Sequence, residues 1–256
     1  QGEIETRLQL WPGEHHIIAG AEAGTEATDP TYVTNTNVPG TSLLTPVGGF
    51  YDSAPNSFVR LAGRARSQFA GVFGIDSIDL SPRWQILIGL RWDRFATRYE
   101  STRFTADGSA DRGTTVDRAD RRLSYRAALI WKPVPTASVY AAYANSFNPS
   151  GEGVESLISA GRSVAEANIN LEPETSHSIE VGAKWNLAED RLQLATALFR
   201  TEKANVRVPA PGTPGLNISG GKQRVDGAEI ELAGRPLPGW SVKASYAWLD
   251  SRTLKS

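Results

Sequence analysis

Histidine is the residue most able to carry acid–base or metal chemistry near neutral pH, and this chain has only three: His15, His16 and His177. Because His15 and His16 are adjacent, a strand would point them to opposite faces. The chain has no cysteine, and we find no His-Glu-x-x-His motif, no Gly-x-Ser-x-Gly nucleophile turn and no phosphate-binding glycine loop. We therefore predict no catalytic residue, no metal ligand and no resident cofactor, and a structural role for each histidine.

Apolar side chains recur at every second position in many segments, which is the pattern of β-strands. Positions 84, 86, 88, 90 and 92 are Trp, Ile, Ile, Leu and Trp, and polar or charged residues lie among the positions between them. No comparable stretch has the helical period. The pattern predicts an all-β fold with strands at 3–10, 15–24, 64–79, 83–97, 121–131, 137–146, 175–186, 191–204, 222–233 and 240–250.

The predicted connections alternate between short and long. The short ones are 11–14, 80–82, 132–136, 187–190 and 234–239, and the long ones are 25–63, 98–120, 147–174 and 205–221. An antiparallel meander has this arrangement, and so does a bacterial outer-membrane barrel, with short periplasmic turns and long extracellular loops. A soluble β-sandwich would show the same alternation, so periodicity alone leaves both architectures open.

The tryptophans favour the membrane barrel. Five of the seven lie in or beside a short turn, and Trp92 and Trp248 each follow one of these by eight residues on the same face. Eight residues of a strand tilted by about 40° rise roughly 20 Å, close to the apolar band of about 25 Å in membrane barrels. Aromatic residues at two such levels are typical of the belts at membrane interfaces. We predict that the tryptophan-bearing face meets lipid.

The opposite face of the predicted strands is rich in charge, as the polar interior of a barrel requires. Its charged residues include Glu3, Glu5, Arg7, Arg91, Asp93, Arg126, Glu180, Lys184, Glu229, Glu231 and Lys243. Gly89, Gly182 and Gly227 fall on the same face, where glycine indicates either the close approach of another backbone or a local bend of the barrel. The sequence leaves both explanations open.

Composition excludes other classes of protein. Lys plus Arg number 27 against 28 Asp plus Glu, so the net charge of −1 gives no support for nucleic-acid binding. The longest apolar run, residues 84–90, is too short for a membrane helix, which needs about 20 residues. Position 1 is Gln and the chain contains no Met, so we expect a processed chain or a fragment.

Several local motifs resemble those of TonB-dependent receptors, and among these the ferric-siderophore receptors. Each motif is short, but their order and spacing together are fairly specific, and the resemblance extends from about residue 15 to residue 249. The motifs are Gly-Leu-Arg-Trp-Asp at 89–93, Leu-Glu-Pro-Glu-Thr at 171–175, Ile-Glu-Val-Gly-Ala-Lys-Trp at 179–185 and Val-Asp-Gly-Ala-Glu-Ile-Glu at 225–231.

The resemblance implies an antiparallel transmembrane barrel of about 22 strands, plugged by an N-terminal domain, in the outer membrane of a Gram-negative bacterium. It also implies uptake of ferric siderophores, powered by the inner-membrane TonB complex acting near the receptor's N-terminus. The plug, the TonB-binding segment and the last strands have no counterpart in residues 1–256, so we interpret the chain as one partial barrel domain of about ten strands. A complete small outer-membrane barrel, acting as a hydrolase or a passive porin, is the alternative.

The resemblance further implies contacts between an iron–siderophore complex and the loops and upper lumen. Aromatic and arginine side chains suit the flat, anionic surfaces of such ligands. The candidate contacts are Tyr32, Phe50, Tyr51, Arg98, Tyr99, Arg103, Phe104 and Phe147.

Three further partners are predicted: outer-membrane lipid, lipopolysaccharide, and the TonB complex through an N-terminal region outside this chain. Arg94 and Arg98 lie on the predicted outward face just beyond Trp92. There they can bind lipopolysaccharide phosphates, or simply extend to the membrane interface as long cationic side chains commonly do.

Overall fold

In a computed structural model the chain forms one antiparallel β-sheet of eleven strands. The structure describes residues 1–36, 38, 40, 42, 44–45, 57–149, 171–212 and 217–255. The strands are β1 (Gly2–Leu10), β2 (Gly13–Thr28), β3 (Thr31–Asn35), β4 (Ser57–Ser81), β5 (Trp84–Phe104), β6 (Ala110–Val134), β7 (Ala137–Asn148), β8 (Glu174–Leu187), β9 (Leu192–Pro209), β10 (Asn217–Gly234) and β11 (Val242–Lys255). Within these residues no helix is long and apolar enough to cross a membrane.

The strands follow one another across the sheet in chain order, apart from β3, which pairs only with β4. The predicted meander is confirmed, but with an additional strand, β3, inside the segment predicted as the loop 25–63. β1 pairs with β2 alone and β11 with β10 alone, so no ladder joins the two ends among the described residues. The sheet is therefore open, in agreement with the predicted partial barrel domain, whereas a complete small barrel requires closure.

Strand register separates the two predicted faces. Trp84 lies opposite Trp131, and Val72 opposite Trp92, so the indoles of neighbouring strands share one face, which we call the tryptophan face. By the same alternation the tryptophan face carries Ile86, Ile88, Val181, Leu194, Val242 and Tyr246, and the opposite face carries Arg91, Glu180, Lys184, Glu229 and Lys243, as predicted.

The tryptophan face is also the more exposed one. Val181 and Leu198 on this face are 49% and 65% exposed, whereas Thr97 and Tyr99 on the opposite face are 4% and 0% exposed. Side chains on the concave side of a curved sheet converge and bury one another, so we assign the tryptophan face to the convex side.

Aromatic side chains occupy two levels of the tryptophan face. Near the short turns Trp84 and Trp131 stack with their ring centroids 6.1 Å apart. Farther along, Tyr143 lies between Tyr125 and His177, at centroid distances of 5.9 and 6.2 Å. The upper level thus includes tyrosines and a histidine in addition to the tryptophans on which the prediction depended.

The strands run further than the polarity pattern predicts at the end away from the short turns, which we call the long-loop end. There the predicted loop 98–120 is a hairpin: β5 continues to Phe104, β6 begins at Ala110, and only residues 105–109 connect them. The loop prediction was wrong because polar residues predominate on both faces of this hairpin, with few apolar side chains such as Tyr99 and Val116 among them. Without one apolar face, the period-two signal disappears although the backbone pairing continues.

The glycines of the concave face lie beneath long side chains of neighbouring strands. A Cβ atom at Gly227 would lie 2.3 Å from the Phe199 ring, one at Gly182 2.5 Å from the Tyr140 ring, and one at Gly89 2.9 Å from the Arg126 side chain. A ring lying across a glycine is a recognised cross-strand arrangement in sheets. Packing against these neighbouring side chains is therefore a third explanation for the glycines, in addition to the approach of another backbone and a bend of the barrel.

Candidate functional site

A small apolar cluster lies on the concave face at the long-loop end. Leu61, Tyr99 and Val116 are 3%, 0% and 4% exposed, and Tyr32 of β3 packs against them. Burial raises the pKa of the Tyr99 phenol. The cluster joins β3, β4, β5 and β6, so it stiffens the hairpin that extends beyond the band between the two aromatic levels.

The structure divides the predicted ligand contacts between the two faces. Phe50 and Tyr51 lie outside the described residues. The concave face carries Tyr32, Tyr99 and Arg103, and the convex face carries Arg98, Phe104 and Phe147. The residues from Arg98 to Phe104 were predicted in a loop but belong to β5, which fixes the direction of each side chain.

Nearer the middle of the concave face, Arg91 is the centre of an ion-pair network. It binds Glu22 of β2, and its Nη2 atom lies 2.7 Å from Oδ1 of Asp93. Its guanidinium also lies 5.8 Å from the centre of the Phe73 ring. Arg91 and Asp93 were predicted on this face. Glu22 was not, and its position follows from the pairing of β2 with β1 and β4.

A buried carboxylate joins β8 to β9 at the long-loop end. Glu174 is 9% exposed; it accepts a hydrogen bond from the Arg207 backbone N–H at 3.1 Å and lies 2.6 Å from Nζ of Lys203. Asn205, whose φ is 57°, donates its Nδ2 to the Pro173 carbonyl at 3.3 Å. Burial alone would raise the pKa of Glu174, but the bonds to Lys203 and Arg207 lower it. Residues of the Leu-Glu-Pro-Glu-Thr motif therefore connect β8 to β9 at the long-loop end.

The histidines are engaged in contacts on the sheet surface. His15, on the convex face near the short turns, contacts Asp76 with 2.7 Å between Nδ1 and Oδ2, and its buried Nε2 has no partner among the described residues. On the same face His177 Nδ1 lies 2.9 Å from the Tyr143 hydroxyl. No serine or threonine hydroxyl is hydrogen-bonded to either ring in the part of the chain that the structure describes, and no group of three potential metal ligands occurs there.

Comparison with known proteins agrees with this architecture. A probable TonB-dependent siderophore receptor, PiuA of Acinetobacter baumannii, is 34% identical over 197 residues, which are 75% of this chain and 25% of PiuA. The crystal structure of PiuA superimposes with a TM-score of 0.77 at 26% identity, over 99% of this chain and 38% of that one. The closed form of the ferric-catecholate import receptor Fiu of Escherichia coli K12 gives a TM-score of 0.80 at 21% identity, over 99% and 37% of the two chains.

The chain therefore spans about a quarter of the length of PiuA, the curated relative described above. The family model for the TonB-dependent receptor-like β-barrel matches residues 1–255. Members of that family are outer-membrane β-barrel proteins of Gram-negative bacteria, and the relatives are receptors rather than enzymes. This chain belongs to the TonB-dependent receptors, and its strands are part of their β-barrel.

Proposed function

We propose that this chain is part of the wall of an outer-membrane receptor that imports ferric siderophores. The observation that carries the proposal is the 34% identity to PiuA over three quarters of the chain. The two-level aromatic belt on the convex face and the charged concave face support the same placement in a membrane. The small-barrel alternatives lose support, because the sheet is open and no serine or threonine hydroxyl is hydrogen-bonded to His15 or His177 among the described residues.

The ligand site is proposed on the concave face at the long-loop end. Tyr32 and Arg103 offer an aromatic edge and a guanidinium there, while Tyr99 is buried and holds the hairpin beneath them. Iron is the cargo of the receptor, held by the siderophore, so the protein needs no resident cofactor. Phe50 and Tyr51 stay predicted contacts.

The convex-face candidates fit the proposed ligand site less well. Arg98, Phe104 and Phe147 lie on the side that faces away from the lumen. The TonB complex would act through a region outside this chain, and outer-membrane lipid and lipopolysaccharide would surround the convex face.

The test is uptake of ⁵⁵Fe by cells that express the full-length receptor, with a panel of ferric catecholate and hydroxamate chelates. We expect uptake of at least one chelate that disappears when TonB is deleted. Arg103→Gln should weaken chelate binding by roughly tenfold or more, because it removes a charge-assisted hydrogen bond. Arg98→Gln is the matched control, since it removes an arginine from the other face of the same strand. Uptake of none of the chelates, or uptake independent of TonB, would contradict the proposal.

A further inference from the structure

A histidine and an aspartate form a pair on the convex face, within the band between the two aromatic levels. His15 of β2 contacts Asp76 of β4, with 2.7 Å between Nδ1 and Oδ2. Strand register places Asp76 opposite Ile88 of β5. Ile88 is four residues from Trp84 and four from Trp92. The carboxylate therefore lies midway between the two levels, on the face assigned to lipid, where an uncompensated charge is costly.

The surroundings of this pair are aliphatic. The residues opposite its two members are Leu8, Ile17, Ile78 and Ile88. Among the described residues of β1, β2, β4 and β5, no other ionisable side chain occupies the convex face between the aromatic levels. The Nε2 atom of His15 and the Oδ1 atom of Asp76 are buried without a hydrogen-bond partner among the described residues. His15 is therefore the group that compensates for the burial of this carboxylate.

The strand that carries His15 contains a four-residue repeat. Residues 19–22 are Ala-Gly-Ala-Glu, and residues 23–26 are Ala-Gly-Thr-Glu. A shift of β2 along β4 by four residues keeps every side chain on its own face, because side chains alternate with a period of two. Within the repeat such a shift exchanges glycine for glycine and glutamate for glutamate. The repeat therefore does not distinguish the observed register from one shifted by four residues.

The contacts between glycines and aromatic rings on the concave face allow the same shift. Gly20 lies beneath the Phe73 ring and Gly24 beneath the Phe69 ring, since added Cβ atoms would lie 2.7 and 2.4 Å from the rings. A shift of two residues would bring Glu22 beneath Phe73, where there is no room for a Cβ atom. A shift of four residues toward the short turns brings Gly24 beneath Phe73 and so keeps one of the two contacts.

The charged contacts of β2 on the concave face are similarly permissive. Glu22 binds Arg91 of β5, and after the four-residue shift Glu26 would take the place of Glu22. His16 lies 3.7 Å from Asp79 on this face, but the two side chains are 30% and 37% exposed. Ion pairs with that exposure contribute little. The concave face thus gives only weak preference for the observed register.

No short turn fixes β2 against β4 either. A short turn joins β2 to β1 and another joins β4 to β5, whereas residues 29–56, which include β3, connect β2 to β4. In hairpins the turn sets the register, so side chains must set it here. The contact between His15 and Asp76 has no equivalent after the shift. The two residues would move about 13 Å further apart, and Asp76 would lie opposite Ala21.

We propose that the pair of His15 and Asp76 selects the register of β2 on β4 by excluding the register shifted by four residues. In the shifted register the carboxylate would lie against lipid without a compensating partner. A buried ion pair is weak evidence for stability, but setting the register between chain segments is its best-attested use. The inference requires the membrane barrel, but it does not require that the receptor carry a siderophore.

The test uses cysteine pairs in the full-length receptor, with any other cysteine replaced by serine, refolded into lipid vesicles and then oxidised. Ala23 lies opposite Ala70, so A23C/A70C reports the observed register. After the shift position 27 would lie opposite position 70, so A27C/A70C reports the shifted register. In the observed register these two positions are about 13 Å apart, too far for a disulfide. Mass spectrometry of the cross-linked peptides gives the yield of each disulfide.

With the wild-type pair we expect the disulfide of the observed register only. The H15L/D76L variant replaces the pair by side chains that suit lipid, and the yield of the shifted-register disulfide should rise at least about tenfold. The matched control is H16Q/D79N, which removes the corresponding contact from the concave face of the same two strands. Its disulfide yields should equal those with the wild-type pair.

A second variant serves if H15L/D76L does not fold. D76N keeps the size of the side chain and removes its charge, so it should also give the shifted-register disulfide. Adding E26K should suppress that disulfide, because lysine cannot replace Glu22 beside Arg91. Absence of the shifted-register disulfide in both H15L/D76L and D76N, an equal yield of it with the wild-type pair, or an equal rise in H16Q/D79N would each overturn the proposal.

Discussion

Replacing Gly182 by alanine tests why the concave face carries glycines. The Tyr140 ring lies across this glycine and donates its hydroxyl to Oε1 of Glu180 at 2.6 Å. A Cβ atom at position 182 would lie 2.5 Å from the ring and 2.6 Å from the Thr196 carbonyl oxygen. The ring must therefore shift, which breaks its hydrogen bond to Glu180, and the backbone must also relax to relieve the contact with the Thr196 carbonyl oxygen. Gly74 is the matched control, because a Cβ atom there meets nothing within 4 Å.

The magnitudes follow from two opposing effects. Alanine in a strand is favoured over glycine by about 0.5–1 kcal/mol when nothing obstructs the Cβ atom. Loss of a hydrogen bond to a charged group costs about 1.5–3 kcal/mol. We therefore expect Gly74→Ala to stabilise the receptor by up to about 1 kcal/mol, and Gly182→Ala to destabilise it by about 1–2 kcal/mol.

The assay is urea unfolding of the full-length receptor refolded into lipid vesicles, followed by tryptophan fluorescence. Tyr140→Phe gives a second measurement, since it removes the hydrogen bond without a clash and should cost a similar amount. Equal shifts for Gly182→Ala and Gly74→Ala would refute the explanation. If the close approach of a plug backbone were the reason for this glycine, deletion of the plug would abolish the penalty, whereas we expect the penalty to persist.

Two further predictions concern the lipid face and the rim. Ile88→Arg places a charge on the convex face, midway between the aromatic levels. It should destabilise the refolded receptor by about 2–4 kcal/mol more than Leu87→Arg on the concave face. Similar urea midpoints for the two variants would contradict the face assignment. Glu174→Gln should cost about 1.5–3 kcal/mol at pH 7, because a buried carboxylate loses its charge-assisted bonds to Lys203 and Arg207. The folded state lowers the pKa of Glu174 from 4.5, so the stabilisation by this carboxylate is complete above pH 4.5 and is lost as the pH falls through the folded pKa. In thermal melts the unfolding temperatures of the wild type and Glu174→Gln should therefore converge in acid and diverge toward neutral pH.

Most of the sheet could be predicted from the sequence because strands that cross the membrane need one apolar face against lipid. That requirement places an apolar side chain at every second position. Trp84 to Trp92 illustrate this, and their faces are confirmed by the register. The part of the sheet beyond Trp92, toward the long-loop end, does not need an apolar face, because there both faces meet water. For that reason β3 and the hairpin from Arg98 to Asp117 had no recognisable pattern, and candidates such as Phe104 could not be assigned to a face.

Contacts across strands were the other part that the sequence could not supply. The alternation along its strand placed Gly182 on the concave face. The contact between Gly182 and the Tyr140 ring, however, is set by the register between β7 and β8. The same holds on the convex face: the sequence placed Arg94 and Arg98 on the outward face, but the residues opposite them, Arg121 and Arg66, depend on the pairing of β5 with β6 and β4.

The most direct test of the account is whether the two faces of β5 meet different environments in a membrane. These 256 residues contain no cysteine, so once any cysteine elsewhere in the receptor is replaced by serine, single cysteines at 85, 86, 87 and 88 can each carry a spin label at a defined position. In the full-length receptor in lipid vesicles, labels at Ile86 and Ile88 should collide readily with dissolved oxygen and rarely with a water-soluble nickel chelate. Labels at Gln85 and Leu87 should show the reverse preference. Equal preferences at all four positions, or ready access of the nickel chelate to Ile88, would contradict a membrane wall with lipid on its tryptophan face.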